Sequence, residues 1–219
     1  MSVPARRARP TPLERALGSA RSTPRATPLE ALAAARRLWS AGERLDMGTL
    51  ARALRVSRAT LYSWVGNRER LIGEVLWSFA EQGLAQARAA ARGTGAAYVV
   101  DVFQHFIRLN ADFAPLRRFI AEDPALALRI LTSKDGPIQH RMIAACRALL
   151  EEQAAASDLA HALDLDTLAY VVIRVAESFL YSDLITGNQP DVGKAVEVVR
   201  VLLGVPTSRR RRRASSRRR

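Results

Sequence analysis

The chain has 219 residues, of which 48% are apolar and 25% are charged, and its formal net charge is +13. Its one cysteine excludes an internal disulfide, its three histidines lack the short spacings of a zinc site, and no apolar run approaches the ~20 residues that span a bilayer. We therefore expect a cytoplasmic protein that has no membrane partner, no metal and no cofactor.

The positive charge is concentrated at the two ends of the chain. Residues 1–26 contain six arginines and one glutamate, and residues 207–219 contain eight arginines and no acidic residue, so residues 27–206 carry no net charge. Neither end has the apolar periodicity of a folded element, and we predict a disordered basic arm and a disordered Arg-rich tail. Such segments raise non-specific affinity for DNA phosphates. The alternative for the arm is a solvated segment with only weak attraction to DNA.

The first predicted helix spans about residues 28–41. Thr27 is a suitable N-cap, Pro28 occupies a favoured first-turn position, and Gly42 follows the last helical residue. Helical spacing predicts a buried stripe that comprises Leu32, Ala35, Leu38 and Trp39.

Residues 46–77 are predicted to form two short helices joined by a tight turn, followed by the start of a longer helix. Asp46 is a good N-cap for a helix that begins at Met47. The turn comprises residues 55–57, and Ser57 then caps the second helix, which spans about residues 58–64.

The outer surface of this second helix is predicted to contact DNA. Leu61 and Val65 face inward, which leaves small and hydrogen-bonding side chains beside an arginine on the outside. Such a surface suits the floor of the DNA major groove, which admits one helix. Tyr62 and Arg68 are placed to contact phosphate oxygens. The predicted DNA-binding residues are Thr49, Arg58, Ala59, Thr60, Tyr62, Ser63 and Arg68.

The segment from Leu50 to Ile72 resembles the helix-turn-helix of TetR-type transcriptional repressors. Its sequence is Leu-Ala-Arg-Ala-Leu-Arg-Val-Ser-Arg-Ala-Thr-Leu-Tyr-Ser-Trp-Val-Gly-Asn-Arg-Glu-Arg-Leu-Ile. The usual pattern of that family is Ile-Ala-x-x-Ala-Gly-Val-Ser-x-x-x-Leu-Tyr-x-Tyr-Phe-x-x-Lys-x-x-Leu. The part Tyr-x-Trp-Val-Gly-x-Arg-Glu-Arg-Leu is most similar to the QsdR-type subgroup. The resemblance implies an all-α chain, in which an N-terminal three-helix DNA-binding domain precedes a C-terminal helical bundle for ligand binding and dimerisation.

Three positions depart from the family pattern. Arg55 stands in place of glycine at a helix end that often adopts a left-handed conformation, where a non-glycine residue costs on the order of 1 kcal/mol. Trp64 and Val65 replace a Tyr-Phe pair, which changes the aromatic packing expected there. Arg68 replaces lysine, which keeps the charge but alters its geometry.

A long helix is predicted from Arg68, with Asn67 as its N-cap, to about Arg92, where Gly93-Thr94-Gly95 interrupts it. We place the domain boundary there, and further helices follow it. The predicted division is an arm at 1–26, a DNA-binding domain with its connector helix at 27–92, a regulatory and dimerisation domain at 93–206, and a tail at 207–219.

Residues 164–186 and 191–204 are predicted to form two strongly apolar helices. The first has only one narrow polar stripe, so it needs burial on nearly all sides, more than one thin domain provides. Pairing with two-fold copies would supply this cover as a four-helix interface. TetR-type proteins dimerise in this way on near-palindromic operators. The predicted interface residues are Leu168, Val172, Val175, Phe179, Val192, Val196, Val199 and Leu203.

The resemblance also implies a pocket for a small-molecule effector in the C-terminal bundle. The candidate ligand-binding residues are the polar stripe of the apolar helix and one histidine at the edge of another apolar face, namely His105, Tyr170, Arg174, Glu177 and Tyr181. The alternative is that Arg174 and Glu177 form an ordinary i,i+3 ion pair on a solvated or interface face, and that His105 is a core-edge residue.

These features predict a homodimeric, ligand-responsive repressor that binds double-stranded DNA in a sequence-specific manner. The alternative is an architectural DNA-binding protein that relies on its Arg-rich tails. An enzyme is not expected, because the sequence offers no nucleophile–base pair, phosphate-binding loop or metal-ligand spacing.

Overall fold

The computed structural model describes residues 26–156 and 163–206, and this part of the chain is helical, with no strand. The predicted tail and, apart from Ala26, the predicted arm lie outside the described residues. The helices are α1 (Pro28–Ala41), α2 (Met47–Ala53), α3 (Arg58–Val65), α4 (Arg68–Ala90), α5 (Gly95–Ala111), α6 (Ala114–Glu122), α7 (Pro124–Thr132), α8 (Pro137–Ala156), α9 (Leu165–Leu180), α10 (Ser182–Ile185) and α11 (Val192–Leu202).

Side-chain caps begin the first four helices, as the sequence predicts. Thr27 and Glu30 form a capping box at α1: the Thr27 hydroxyl accepts from the Glu30 N–H at 3.2 Å, and the Glu30 carboxylate accepts from the Thr27 N–H at 2.7 Å. Asp46, Ser57 and Asn67 cap α2, α3 and α4, each accepting from the N–H three residues later. Because these caps satisfy otherwise free helical N–H groups, they determine where each helix starts.

Helices α1 to α3 pack with the start of α4 as a compact N-terminal unit, residues 28–75, which we call the head. Its core consists of side chains that expose at most 2% of their surface, contributed by all four helices: Ala31, Ala35, Leu50, Leu61 and Leu71. Burying these apolar side chains against one another holds α3 at the surface of the head.

The remaining described residues, 76–156 and 163–206, form a helical bundle that we call the body. Helix α4 continues from the head into the body, where it packs against α5, α7 and α8. Helix α9 packs against α8 and α11, and α11 also packs against α5. Among the described helices, none is both long enough and apolar enough to cross a membrane.

Two ion pairs between helices join the head to the body. Glu69 at the start of α4 accepts two hydrogen bonds from Arg129 of α7, at 2.6 and 3.1 Å. Glu74, one turn later, accepts two from Arg141 of α8, at 2.7 and 3.0 Å. Both pairs are bidentate, which fixes the orientation of α4 against the two body helices.

An aromatic cluster forms a second junction. Trp39 of α1 lies with its ring centroid 5.6 Å from that of Phe79 in α4, 5.9 Å from that of Phe113 and 6.1 Å from that of Phe119 in α6. Because Trp39 is only 7% exposed, this cluster is part of the continuous core.

The helix predicted over residues 164–186 is interrupted. It ends at Leu180, Tyr181 leaves the helical conformation with φ −109° and ψ 20°, and the short helix α10 follows. The Ser182 hydroxyl lies 3.1 Å from the Phe179 carbonyl and 3.2 Å from the Asn188 carbonyl, so it stabilises the change of direction. Apolar periodicity continues across this break and therefore could not reveal it.

Candidate functional site

The exposed face of α3 contains the side chains that the sequence predicts to contact DNA. Leu61 is fully buried beneath the helix, whereas Arg58, Ala59, Tyr62 and Ser63 are exposed. Thr60 is half-buried on the same short helix, and Thr49 is exposed on α2. An exposed, short helix with small side chains, supported from behind by a packed core, has the shape that enters a major groove.

The hydroxyl groups on this face are held by local hydrogen bonds. The Ser63 hydroxyl donates to the Thr60 carbonyl at 2.8 Å, and the hydroxyls of Thr60 and Ser57 lie 2.8 Å apart. The Thr49 hydroxyl accepts from the Arg52 guanidinium at 3.1 Å. A hydroxyl has one donor and two acceptor sites, so the Ser63 oxygen retains acceptor capacity toward a ligand.

The side chain of Arg58 lies back over the start of α2. Its guanidinium occupies the space beside Gly48, where any Cβ would overlap it. The pKa of Asp46 is lowered, chiefly by the hydrogen bond from the Thr49 N–H and in smaller part by the positive charge of Arg58. Glycine at position 48 therefore leaves room for the Arg58 guanidinium near the Asp46 carboxylate.

Arg68, predicted to contact a phosphate, makes a contact within the head that was not predicted. Its Nε donates to the Leu45 carbonyl at 2.8 Å in a partly buried contact. This bond ties the start of α4 to the loop before α2, so part of the guanidinium supports the head. The sequence could not reveal this, because the contact joins residues that are far apart along the chain.

The turn between α2 and α3 begins with a left-handed residue, as glycine in the family pattern suggests. Arg55 has φ +55° and is, among the described residues, the one non-glycine residue with positive φ. The Val56 N–H bonds to the Ala51 carbonyl at 3.0 Å, and the Arg55 N–H bonds to the Arg52 carbonyl at 3.1 Å. This is a Schellman motif, which arginine here completes at the cost of left-handed strain.

The body contains a partly open cavity of about 330 Å³ between α4, α5, α8 and α9. Most of its wall is apolar, including Phe79, Phe103, Phe106, Ile138, Met142 and Leu180. Its polar lining consists of Gln82, Gln86, Asn110, Glu177 and Tyr181. A volume at the lower end of the roughly 300–1,000 Å³ range of small-molecule sites, with few polar groups, is typical of a ligand pocket.

Glu177 contributes the charged group of the cavity wall and is 8% exposed. The Gln139 side-chain amide donates to its Oε1, and Nη1 of Arg174 lies 2.6 Å from its Oε2. Burial raises the pKa of Glu177, while Gln139 and Arg174 counteract this in part. Burial and the nearby charge of Glu177 together raise the pKa of Tyr181.

Only two of the five predicted ligand-binding residues line this cavity, Glu177 and Tyr181. Tyr170 is 52% exposed and Arg174 reaches Glu177 from outside the lining, as an i,i+3 ion pair. His105 lies half-buried, with its Nε2 3.8 Å from Asp101, and is also outside the lining. Helical spacing places the predicted polar stripe on one side of α9. It does not indicate which part of that side other helices of the body cover.

The predicted dimer interface requires a correction, because most of its side chains are covered by their own chain. Five of the eight expose 8% or less of their surface, namely Leu168, Val172, Val196, Val199 and Leu203. The other three, Val175, Phe179 and Val192, are half-buried. The apolar side chains that α9 and α11 expose are Tyr170, Val198 and Val201. Periodicity identified the buried sides of the helices, but burial within the bundle accounts for them.

Gln139 and the phenylalanines of the cavity wall are not among the site residues predicted from the sequence. Gln139 is buried in the first turns of α8 and also donates to the Leu131 carbonyl at 2.8 Å. A single glutamine among apolar residues carries no sequence signal for such a role. Within the described residues, no cluster of three or more His, Cys, Asp or Glu side chains could hold a metal ion.

Comparisons with known proteins identify relatives of this fold. Residues 94–204 match the family model described as "Tetracyclin repressor-like, C-terminal domain". The chain is similar to the R. erythropolis transcriptional repressor QsdR from the TetR family, with 30% identity and a TM-score of 0.77 over 83% of this chain and 96% of that one. No curated protein matches the chain.

A second solved structure shares the fold at lower identity. It is the TetR family repressor AlkX from Dietzia sp. strain DQ12-45-1b, implicated in biodegradation of n-alkanes. The identity is 22% and the TM-score is 0.54, over 82% of this chain and 94% of that one. At this identity the likeness concerns the fold alone.

Proposed function

This chain belongs to the TetR family of DNA-binding transcriptional regulators, and from that premise we propose that it is a homodimeric repressor, released from a near-palindromic operator by a small-molecule ligand. The family resemblance seen in residues 50–72, including its similarity to the QsdR type, is thereby confirmed. The operator, the dimer and the ligand are proposals that the following observations support.

The observation that supports operator binding most directly is the exposed face of α3. Tyr62 is 44% exposed, and Arg58 rests against Gly48 without an ion pair to any described residue. In a major groove, an arginine at this position can reach guanine O6 and N7, while tyrosine and serine hydroxyls suit phosphate oxygens. We assign base readout to Arg58 and backbone contacts to Tyr62 and Ser63, and we give Arg68 a supporting role.

Dimerisation is supported by the exposed faces of α9 and α11, which pack against each other in the body. Tyr170 is 52% exposed, Val198 42% and Val201 64%. Apolar side chains exposed on two neighbouring helices are typical of a surface that a second copy covers. The proposed interface therefore uses the outer faces of the same two helices that the sequence suggested.

Ligand response is supported by the shared walls of the cavity and the aromatic junction. Phe79 and Phe113 line the cavity and also contact Trp39 of the head. A ligand that displaces either ring must alter the packing of Trp39, because close-packed cores transmit small shifts. Occupancy of the cavity would in this way change the placement of α3 and lower DNA affinity.

Operator binding is testable by fluorescence anisotropy with the full chain at physiological salt. One duplex is the intergenic DNA beside the protein's own gene, and the other is the same DNA scrambled. We expect preference for the first by about 10³-fold or more, a typical gap between specific and non-specific binding. The proposal would be refuted if the full chain bound all gene-adjacent and scrambled duplexes with equal affinity and a variant limited to residues 27–206 lost this binding. That result would favour the architectural alternative.

A further inference from the structure

The cavity contains a buried carboxylate whose hydrogen-bonding capacity is incompletely used. A carboxylate has about four acceptor sites. Oε1 of Glu177 accepts from Gln139, whereas Oε2 is buried and accepts no well-aligned hydrogen bond from the described residues. Arg174 lies 2.6 Å from Oε2 as an ion pair, but it approaches from outside the cavity lining.

The Tyr181 hydroxyl is a second polar group without a protein partner at this end of the cavity. Tyr181 is 7% exposed and lines the cavity, and its hydroxyl makes no hydrogen bond with the described residues. The Tyr181 N–H donates to the Glu177 carbonyl at 2.9 Å and both residues line the cavity, so they lie side by side there. A ligand that reaches this end of the cavity meets the acceptor oxygens of a buried carboxylate, which is held in an ion pair with Arg174, and of a phenol in otherwise apolar surroundings.

We propose that the cavity takes a small amphipathic molecule whose polar end donates hydrogen bonds to Glu177 and Tyr181, as an alcohol or a protonated amine does. A ligand carboxylate at the same place would bury a second negative charge beside the first, which is unfavourable in a low-dielectric site. The apolar wall binds the hydrocarbon part, and Glu177 selects the polar end. This inference rests on the proposed function only in identifying the cavity as the effector site.

The test uses three probes with the same chain length, 1-octanol, octylamine and octanoate, titrated separately into the full chain at neutral pH. Binding is followed by isothermal titration calorimetry. We expect octanol and octylamine to bind at least about tenfold more tightly than octanoate, because hydrogen bonds to charged groups are strong and a buried like charge is repelled.

Three variants assign the selectivity to the cavity. Glu177→Gln should reduce the preference for octylamine over octanoate by about tenfold or more. Tyr181→Phe keeps the ring and should weaken octanol binding, which provides a second measurement if the first variant fails to fold. Asp166→Asn removes an exposed carboxylate on the same helix, outside the cavity lining, and should leave all three affinities unchanged.

The outcomes separate this inference from the proposed function. Octanoate binding as tightly as octanol, no binding of either donor probe, or a folded Glu177→Gln variant with unchanged selectivity would each overturn the inference. DNA affinity is measured in parallel with each probe. If the donor probes bind selectively but DNA affinity stays unchanged, the proposed ligand class is supported and ligand-controlled release is refuted. If octanoate alone releases the DNA, ligand-controlled release is supported and the proposed ligand class is refuted.

Discussion

Two glycines in α4 differ in how closely a neighbouring helix approaches them. A Cβ added at Gly73 would lie 2.7 Å from Cγ and 2.8 Å from Cδ of Pro137, at the start of α8. At Gly83, ten residues later, the nearest atom would be Cε2 of Phe106 at 3.7 Å, which is ordinary van der Waals contact. The two positions thus differ in packing while sharing one helix.

The free energy of unfolding is expected to differ between the two alanine variants. Alanine is favoured over glycine in a helix interior by about 1 kcal/mol, and this gain applies to both positions. At Gly73 the added methyl meets a rigid proline ring, and overpacking of this kind costs about 1–3 kcal/mol. Gly83→Ala should therefore be more stable than the wild type by about 1 kcal/mol, and Gly73→Ala should be less stable than Gly83→Ala by about 1–3 kcal/mol.

Urea unfolding followed by far-ultraviolet circular dichroism measures this difference. All proteins are compared at one concentration, because the stability of an oligomer depends on it. If Gly73→Ala is as stable as Gly83→Ala, the contact between α4 and Pro137 does not restrict the helix and the expected overpacking is refuted.

Four further substitutions test other parts of the molecule. Arg58→Ala should reduce the free-energy preference for operator DNA over scrambled DNA by about 1–3 kcal/mol in anisotropy titrations. An unchanged preference would show that Arg58 does not read bases. Arg55→Gly should raise the free energy of unfolding by about 0.5–1 kcal/mol, since relief of left-handed strain exceeds the greater freedom of the unfolded chain, and Arg55→Ala should give no such gain. Val201→Asp should yield monomers in sedimentation experiments, whereas Leu29→Asp on the exposed surface of α1 should not. Burial raises the pKa of Glu177 in the folded chain. As pH rises from about 4.3, the Glu177 carboxyl therefore loses its proton in the unfolded chain before it does so in the folded chain. The stability of the wild type relative to Glu177→Gln should then fall with rising pH until the folded-state value is passed, and an increase would contradict the assignment.

Local chemistry explains which parts of the fold the sequence could predict. The caps Thr27, Asp46, Ser57 and Asn67 act within three residues of their own position, so the helix starts followed directly from the sequence. Arg55 could be placed at a left-handed turn because the family pattern has glycine there, and the structure gives it φ +55°.

The features that were missed depend on contacts between distant parts of the chain. The bond from Arg68 to the Leu45 carbonyl spans 23 residues, and the pairing of Gln139 with Glu177 spans 38. Neither leaves a periodic trace in the sequence. The apolar side chains of Leu168 and Val199 were identified as buried, but whether a neighbouring helix or a second subunit covers them depends on tertiary packing.

The two ion pairs between head and body affect how a salt titration of DNA affinity must be interpreted. The logarithm of affinity falls with the logarithm of salt concentration in proportion to the number of phosphate contacts, with a coefficient of about 0.9. The pairs Glu69–Arg129 and Glu74–Arg141 are partly exposed, so the same salt also screens the attraction that orients α4. A slope measured on the wild type therefore contains a conformational part in addition to the phosphate contacts. Comparison with a Glu69→Gln, Glu74→Gln double variant would isolate the contribution of the DNA itself.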